Sequence, residues 1–531
     1  GAARLQLCPP PPGSTAQRPE WAFELQTPSL LIERKGCFDS TQPRPPTQQT
    51  QVIAWVQAAL RSLWSAPSPT LPTVPNSAIT RTGSRTTKRL ERKTRIPLSI
   101  PPQTSLAPAF DHQDEVFPSA FTILRDAIAQ RAFPAASVAI THRGRLIALK
   151  AFGHFTDEAG APPLSLRSLE RQDGDFDVTP ATLFDLASLT KVIATTTMAA
   201  ILYERGLLEL EAPVIGVVPE FLADSCGDVD LRRRDVTFRM LLAHSSGLPA
   251  YEKLFLQAQT RDDLLRAAFT TSLSADPASR AEYSDIGFIV LGAALERIAG
   301  EPLDVFCQRE IFGPLAMQHT TFNPPAALRP QVPPTADERE PEECGADTPV
   351  RQKPADTKTP GVSPGKPRST FRNRIIQGEV QDENAFTLGG VAPHAGLFST
   401  AEDLARFACA MLLCGAGAPA REMSKSQPAA SDHRILRPET ITLFTTRDST
   451  PGTSRALGWD TPSSPSQSGK HFGRSSYGHL GYTGTSLWID PDRQLSITLL
   501  TNRTWPDCSN QTIRQVRPKF HDAIIEALEA K

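Results

Sequence analysis

Phe184-Asp185-Leu186-Ala187-Ser188-Leu189-Thr190-Lys191 places a serine, and three residues later a lysine, at the head of an apolar run that reaches Leu202. On a helix that spacing puts both side chains on one face, where the lysine can take the hydroxyl proton. A helix start also offers backbone N–H groups to a developing oxyanion. Val192, Ile193 and Ala199 supply the face that such a helix would bury. Alone the spacing is weak. Ser363-Pro364-Gly365-Lys366 repeats it, but with proline and glycine between the pair no rigid helix presents Ser363. The plain alternative for Ser188 is an N-cap before a core helix.

Outward from this stretch, residues 188–320 read as mostly helical and the regions beyond them as strands. Upstream, Pro118 opens a helix with Phe121, Leu124 and Ile128 on one face, and Ser137 to Phe152 alternates as a strand pair about the turn His142-Arg143-Gly144-Arg145. Downstream, Thr485 to Ile489 and Leu495 to Thr501 are strand-like runs joined by Asp490-Pro491-Asp492-Arg493. A terminal helix with Pro518 at its start buries Ile524, Ile525 and Leu528. Strands near both ends with helices between them predict an α/β (α+β) architecture: an antiparallel sheet flanked by helices and completed by both chain ends, with a mostly helical subdomain inserted.

The 531 residues suffice for one large two-part domain. Of the 49 prolines, 17 fall in residues 1–110 and 11 in residues 324–370. The expected organisation is therefore a Pro-rich, mostly disordered segment over 1–110, a folded domain over 111–531, and a Pro-rich surface insertion at 324–370 within it. Lys plus Arg number 56 against 57 Asp plus Glu, so bulk charge selects neither nucleic acid nor an anionic membrane surface. The basic cluster Arg81 to Arg95 reads as a solvated linker. No run approaches the roughly 18 apolar residues that span a bilayer. The eight cysteines include no Cys-x-x-Cys pair, so no metal cluster is expected, and nothing calls for a cofactor. The chain opens with Gly1, with neither a start Met nor a basic-then-apolar signal, which leaves room for an upstream segment.

Further elements succeed Ser188-x-x-Lys191 in order: Leu241-Leu242-Ala243-His244-Ser245-Ser246-Gly247-Leu248-Pro249, then Tyr283-Ser284-Asp285-Ile286-Gly287-Phe288, then His479-Leu480-Gly481 leading through Tyr482-Thr483-Gly484 into a strand. Gly389-Gly390-Val391-Ala392-Pro393-His394-Ala395-Gly396-Leu397-Phe398-Ser399-Thr400 lies between the last two. In order and spacing these resemble the signature elements of the serine β-lactamase-like family, which includes class C β-lactamases, D-alanyl-D-alanine carboxypeptidases and related esterases. The resemblance covers about residues 118–530 apart from the insertion. It implies a β-lactamase/DD-peptidase-like fold with Ser188 as the acylated nucleophile, Lys191 as its proton partner and Tyr283 as a second proton relay. It also implies that the backbone N–H groups of Ser188 and Tyr482 form an oxyanion hole, and that Asp285, His479, Gly481 and Tyr482 face the substrate. His244 and His394, in Gly-flanked turns, read as structural hydrogen-bonding groups, and Ser284 as a turn hydroxyl.

Two departures from the commonest pattern bear on mechanism. Asp285 stands where many members carry Asn. For Lys191 to act as a base at pH 7 its pKa must fall roughly three units from about 10.4, at a cost of about 4 kcal/mol. An ionised Asp285 about 4 Å away would favour the cation by about as much at an effective dielectric near 20. Either Asp285 is neutral or turned aside, or Lys191 stays charged and lowers the pKa of Tyr283 until the phenolate takes the Ser188 proton; the second uses Asp285 as found and is preferred. His479 stands where many members carry Lys, and at a reference pKa of about 6.5 it attracts a substrate carboxylate weakly at pH 7 and more as the pH falls. The expected protein is a metal-free serine hydrolase forming an acyl-enzyme on Ser188. Its substrate is a small molecule or peptide, with a peptidoglycan-type D-amino-acid amide ahead of a small ester, and no nucleic acid is involved. His479 weighs against β-lactamase activity as the primary function. The rival from another class is a catalytically silent cell-wall peptide-binding protein, against which Ser188, Lys191 and Tyr283 argue. The resemblance implies a periplasmic or secreted setting, although no signal peptide is visible.

Overall fold

The computed structural model describes residues 106–156, 178–339, 371–413 and 435–530. The N-terminal segment before residue 106, the part of the expected insertion from residue 340 to 370, and with it Ser363-x-x-Lys366, lie outside the described residues.

Six strands form the main sheet: β1 (Ala107–Pro108), β2 (Ala135–His142), β3 (Arg145–Gly153), β4 (Tyr477–Leu480), β5 (Ser486–Asp490) and β6 (Leu495–Thr501). Their order is β1-β3-β2-β6-β5-β4, and every pairing is antiparallel except the short parallel contact of β1 with β3. The central pair joins the two ends of the folded region, with Ala136 opposite Thr501 and His142 opposite Leu495. The β2–β3 hairpin turns on Arg143 and Gly144, at φ 52° and 74°. Two consecutive positive φ values are what a two-residue hairpin loop requires, and glycine supplies the second without strain.

Five helices flank the sheet and frame the region around Ser188: α1 (Pro118–Ala129), α2 (Thr197–Glu204), α3 (Asp285–Ala299), α4 (Ala401–Leu413) and α5 (Ile513–Glu529). The sheet is covered on both faces, which is why β2 is buried from Ala135 to Thr141. On one face Val138, Ile140, Ile497 and Leu499 pack with Phe121 and Leu124 of α1 and with Phe520 and Ile524 of α5. On the other, Ala135, Ala139 and Leu500 join a core that runs through Leu404 and Ala408 of α4 into the helical half. There α3 is apolar almost all round; its N-cap Ser284 accepts from the Gly287 N–H at 2.9 Å and donates to the Pro249 carbonyl at 2.7 Å.

Two expectations change. Helix α5 begins at Ile513, so Pro518 lies inside it rather than at its start. A proline there cannot donate to the carbonyl of Arg514, and Gln467 Nε2 donates to that carbonyl instead, at 3.1 Å, so no acceptor is orphaned. The other change concerns residues 324–339, the described part of the 324–370 stretch, which belong to the fold: Ala336–Asp337 pairs with Ile375–Ile376, Val332 is fully buried, and Glu338 makes a buried ion pair with Arg372 at 2.7 Å. Proline density alone does not separate an extended segment that packs from one that does not.

Candidate active site

Ser188 sits between a strand and a helix. Phe184–Asp185 pairs with Leu397–Ser399, the latter part of the 389–400 motif. Ala187 then takes φ 46°, unusual for a residue with a Cβ. The buried Asp185 holds this turn: one carboxylate oxygen accepts the Ala187 N–H at 2.8 Å and the other the Gln381 N–H at 2.7 Å. Burial pushes its carboxyl up to about 6. From Leu189 the chain is helical; Lys191–Thr196 forms a widened π-type segment that continues into α2.

Lys191 is fully buried. Its Nζ lies 3.0 Å from Ser188 Oγ, 2.9 Å from the His394 carbonyl and 2.6 Å from Asp285 Oδ1, with the ring of Tyr283 5.0 Å away. Burial works to lower its pKa, but the Asp285 carboxylate and Tyr283 outweigh it and hold the ammonium above its ordinary value. Asp285 is placed for this as the first residue of α3, where the helix dipole also favours a carboxylate. Burial undoes the expected phenolate, and the same carboxylate adds to its effect. Burial pushes the Tyr283 hydroxyl up; Lys191 pulls it down, Asp285 pushes it up again, and the net shift is upward. Burial is the largest influence, so the resting form of Tyr283 is the neutral phenol.

Opposite Ser188 lies the turn between β4 and β5. Thr483 Oγ1 donates to the Asp185 carbonyl at 2.8 Å and Thr485 Oγ1 to the Leu186 carbonyl at 3.0 Å, tying the turn to the segment that carries the serine. A Cβ at Gly481 would collide with Thr485 Oγ1 and the Leu186 carbonyl, so glycine is required by this close approach. Arg517 of α5 donates to the carbonyls of Gly481, Gly484 and Thr485. Among the described residues neither the Ser188 nor the Tyr482 backbone N–H has an acceptor.

His479 differs from expectation. Its ring is 2 % exposed and its Nδ1 meets the Leu480 carbonyl at 2.8 Å, which assigns the proton to Nδ1. Burial first, then Arg455 and Lys191, hold its pKa well below the ordinary histidine value. It stays neutral across the physiological range and cannot serve as a titrating carboxylate anchor. His244 accepts the Ser284 N–H on Nδ1 at 3.0 Å and stacks between Tyr283 and Phe288. His394 pairs through Nε2 with Asp382 at 2.9 Å.

Ser188, Tyr283, Asp285, His394, His479, Gly481 and Tyr482 line one cavity of about 1160 Å³, with Lys191 buried in contact with Ser188 and Asp285. Ser188, Lys191, Tyr283, Asp285 and His479 are thus brought together, with Gly481 and Tyr482 on the facing turn. Sequence reasoning missed Arg455, whose guanidinium lies 4.8 Å over the Tyr283 ring, because it stands in an irregular stretch with no periodicity or motif. It also missed Asp185, Thr483 and Thr485, which act by hydrogen bonds to the backbone. Among the described residues no group of three or more His, Cys, Asp or Glu is placed to hold a metal ion.

Residues 121–517 match the Beta-lactamase family model. The chain is similar to a Bacillus subtilis (strain 168) protein named N-acetylmuramyl-L-alanine amidase, with 31 % identity over 70 % of this chain and 77 % of the relative. It is similar also to an Escherichia coli (strain K12) protein whose name proposes D-alanyl-D-alanine carboxypeptidase activity, with 30 % identity over 61 % of this chain and 70 % of that one. Among solved structures, EstCE1, a hydrolase with promiscuous acyltransferase activity, superposes with a TM-score of 0.54 at 20 % identity, covering 78 % of this chain and 99 % of its own. With a family match spanning most of the described fold, and a serine–lysine–tyrosine site at the junction of sheet and helical half, the chain belongs to the β-lactamase family.

Proposed function

We propose that the protein is a serine hydrolase that forms an acyl-enzyme on Ser188 and resolves it with water, acting on the amide of a peptidoglycan-type D-amino-acid peptide in preference to a small ester. The family and the names of its relatives point to a hydrolase of the serine β-lactamase/DD-peptidase type, and both named relatives support a cell-wall amide. The observation that carries the reading is Lys191 Nζ standing 3.0 Å from Ser188 Oγ and 2.6 Å from Asp285 Oδ1.

A charged lysine cannot accept a proton unless it gives one up, and Asp285 is in contact to receive it. As Ser188 Oγ adds to the acyl carbon, its proton passes to Lys191 Nζ while Lys191 passes one of its own to Asp285. The new oxyanion accepts from the Ser188 and Tyr482 N–H groups. When the C–N or C–O bond breaks, the Tyr283 phenol protonates the leaving group and is itself reprotonated from the Lys191–Asp285 pair. Water repeats the sequence on the acyl-enzyme and restores Ser188. That the nucleophile and its proton carrier stand within hydrogen-bonding distance supports turnover over binding alone. Mass spectrometry after exposure to a fluorophosphonate and, separately, to a penicillin tests the reading: an adduct on the peptide containing Ser188 is expected, whereas an adduct on another serine, or undiminished turnover by Ser188→Ala, would overturn it.

A further inference from the structure

We propose that Asp185 is a positioning residue: its carboxylate fixes Ser188 relative to Lys191, and only the ionised form does so. The proposal rests on the preceding reading in taking Ser188 as the nucleophile. Asp185 is 2 % exposed and lies three residues before Ser188, in the short strand that pairs with Leu397–Ser399. Its two carboxylate oxygens are divided between two segments. Oδ1 accepts the Ala187 N–H at 2.8 Å, across the turn in which Ala187 holds φ 46°. A residue with a Cβ keeps that conformation only where its surroundings impose it. The peptide after Ala187 carries the Ser188 N–H, the donor that the proposed mechanism turns on the oxyanion. Oδ2 accepts the Gln381 N–H at 2.7 Å. From Gln381 the connection runs on to Lys191: Asp382 pairs with His394 Nε2 at 2.9 Å, and the His394 carbonyl accepts from Lys191 Nζ at 2.9 Å. One carboxylate thus ties the turn of the serine to the segment that steadies its lysine, by a route separate from the helix the two share.

An ionised carboxylate accepts both N–H groups; a carboxylic acid does not. Protonation turns one oxygen into a hydroxyl donor that faces an N–H donor, with no hydrogen bond between them. One tie is then lost whichever oxygen takes the proton: either the Ala187 turn relaxes or the 381–394 segment comes free. The surroundings bring this change close to neutral pH. Burial is the largest influence and pushes the carboxyl up to about 6, against the pull of the two N–H bonds. Asp382 raises it further and Arg372 opposes, and Arg372 is itself paired with Glu338 at 2.7 Å. The other elements packed against Asp185 bring Phe398, its partner on the neighbouring strand, and the Thr483 hydroxyl, which donates to the Asp185 carbonyl. The positioning of the nucleophile is therefore complete above this value and is lost as the pH falls through it.

The rate at which a neutral fluorophosphonate labels Ser188 in the full chain reads the nucleophile without a titrating substrate. In the wild type it should be level above about pH 7, halve near pH 6 and stand about ten-fold below its plateau at pH 5. Asp185→Asn offers one acceptor oxygen at every pH, so its rate should be about thirty-fold lower at pH 7.5 and change by less than about two-fold down to pH 5. Asp185→Glu keeps the charge and should regain about three-fold or more over Asn, and with it an acid limb. A wild-type rate indifferent to pH, an unchanged limb in Asp185→Asn, or a Glu variant no faster than Asn would overturn the role. Circular dichroism at each pH keeps the comparison to folded protein, and should Asp185→Asn not fold, the wild-type profile and the limb of the Glu variant decide. Hydrogen exchange separates the two proposals. Protection of the Ala187 and Gln381 amides, corrected for the intrinsic effect of pH, should fall between pH 7 and pH 5 whether or not Ser188 reacts. Protection lost without an adduct on Ser188 leaves the Asp185 tie standing and sinks the acyl-enzyme reading; a Ser188 adduct, with rate and protection both indifferent to pH, does the reverse.

Discussion

Lys191 and Arg517 are both cations withdrawn from water, and burial is the largest influence on each, yet their proton affinities move in opposite directions. Lys191 faces a carboxylate at 2.6 Å and binds its proton more tightly than an ordinary lysine. Arg517 faces three carbonyls and, beyond them, two more guanidinium groups, and its affinity falls. Burial lowers the proton affinity of both; the carboxylate opposite Lys191 reverses that, whereas the guanidinium groups near Arg517 add to it. The consequence is a division of labour within one cavity. The neutralised Lys191–Asp285 pair can pass protons without a net charge appearing, while Arg517 holds the β4–β5 turn through three carbonyls.

The sharpest way to break this contrast is Lys191→Met. It removes the proton carrier and leaves Asp285 without its cation, so turnover should fall by on the order of 10⁴ and stability by about 3–5 kcal/mol. Ester kinetics and urea melts read both, and retention of activity within ten-fold would remove Lys191 from the chemistry. Asp285→Asn comes next. Without the carboxylate, burial outweighs what Tyr283 still contributes and lowers the Lys191 pKa, so the free amine becomes the base and the rate should climb with pH through neutrality where the wild type is flat. The loss should be about a hundred-fold near pH 6 and shrink upward; a profile superimposable on the wild type would break the relay. In the wild type the pair stabilises the fold fully below the ordinary lysine value of 10.5, and that contribution is lost only as the pH rises past the higher folded value.

His521 extends the contrast to a neutral base. Burial, then the charge of Arg517, pushes it from 6.5 to about 3. The unfolded chain takes up a proton near 6.5 and the folded one does not until about 3, so the fold loses stability as the pH drops through that window, by about 2 kcal/mol at pH 5. His521→Gln should flatten the difference between melts at pH 7 and pH 5. An equal acid loss in both proteins would assign it elsewhere. The smallest effect is expected from Arg517→Lys, which keeps the charge but cannot span three carbonyls. Its kcat should fall about five-fold with KM little changed, since the β4–β5 turn loosens; a changed KM with kcat intact would place Arg517 on the substrate instead.

The legible part of the molecule is the part written in periodicity and local spacing. The helix at Pro118, the hairpin about Arg143-Gly144, and the β5 and β6 strands all carry their pattern within a few residues, and Ser188, Lys191, Tyr283 and Asp285 sit in short motifs. Charge states are not legible in this way, because each depends on what lies across the cavity. Motif spacing sets Asp285 against Lys191 but does not reveal that it also acts on Tyr283, and a solvent-like pKa for His479 fails because β4 buries the ring. Pro518 misleads for a related reason. Its cost inside a helix is offset by Gln467, a residue 51 positions away that no local rule reaches.

The pairing of β2 with β6 brings together Thr141 and Ser496, 355 residues apart along the chain. During synthesis, Ser188 and Lys191 leave the ribosome long before the strands that seat Tyr482 opposite them and before the helix whose Arg517 grips that turn. The nascent chain therefore carries the proposed nucleophile before the turn that faces it exists. On the proposed reading, the serine gains the turn that faces it only when the strands β4 to β6 and the helix α5, all encoded more than 280 residues later, have joined the sheet.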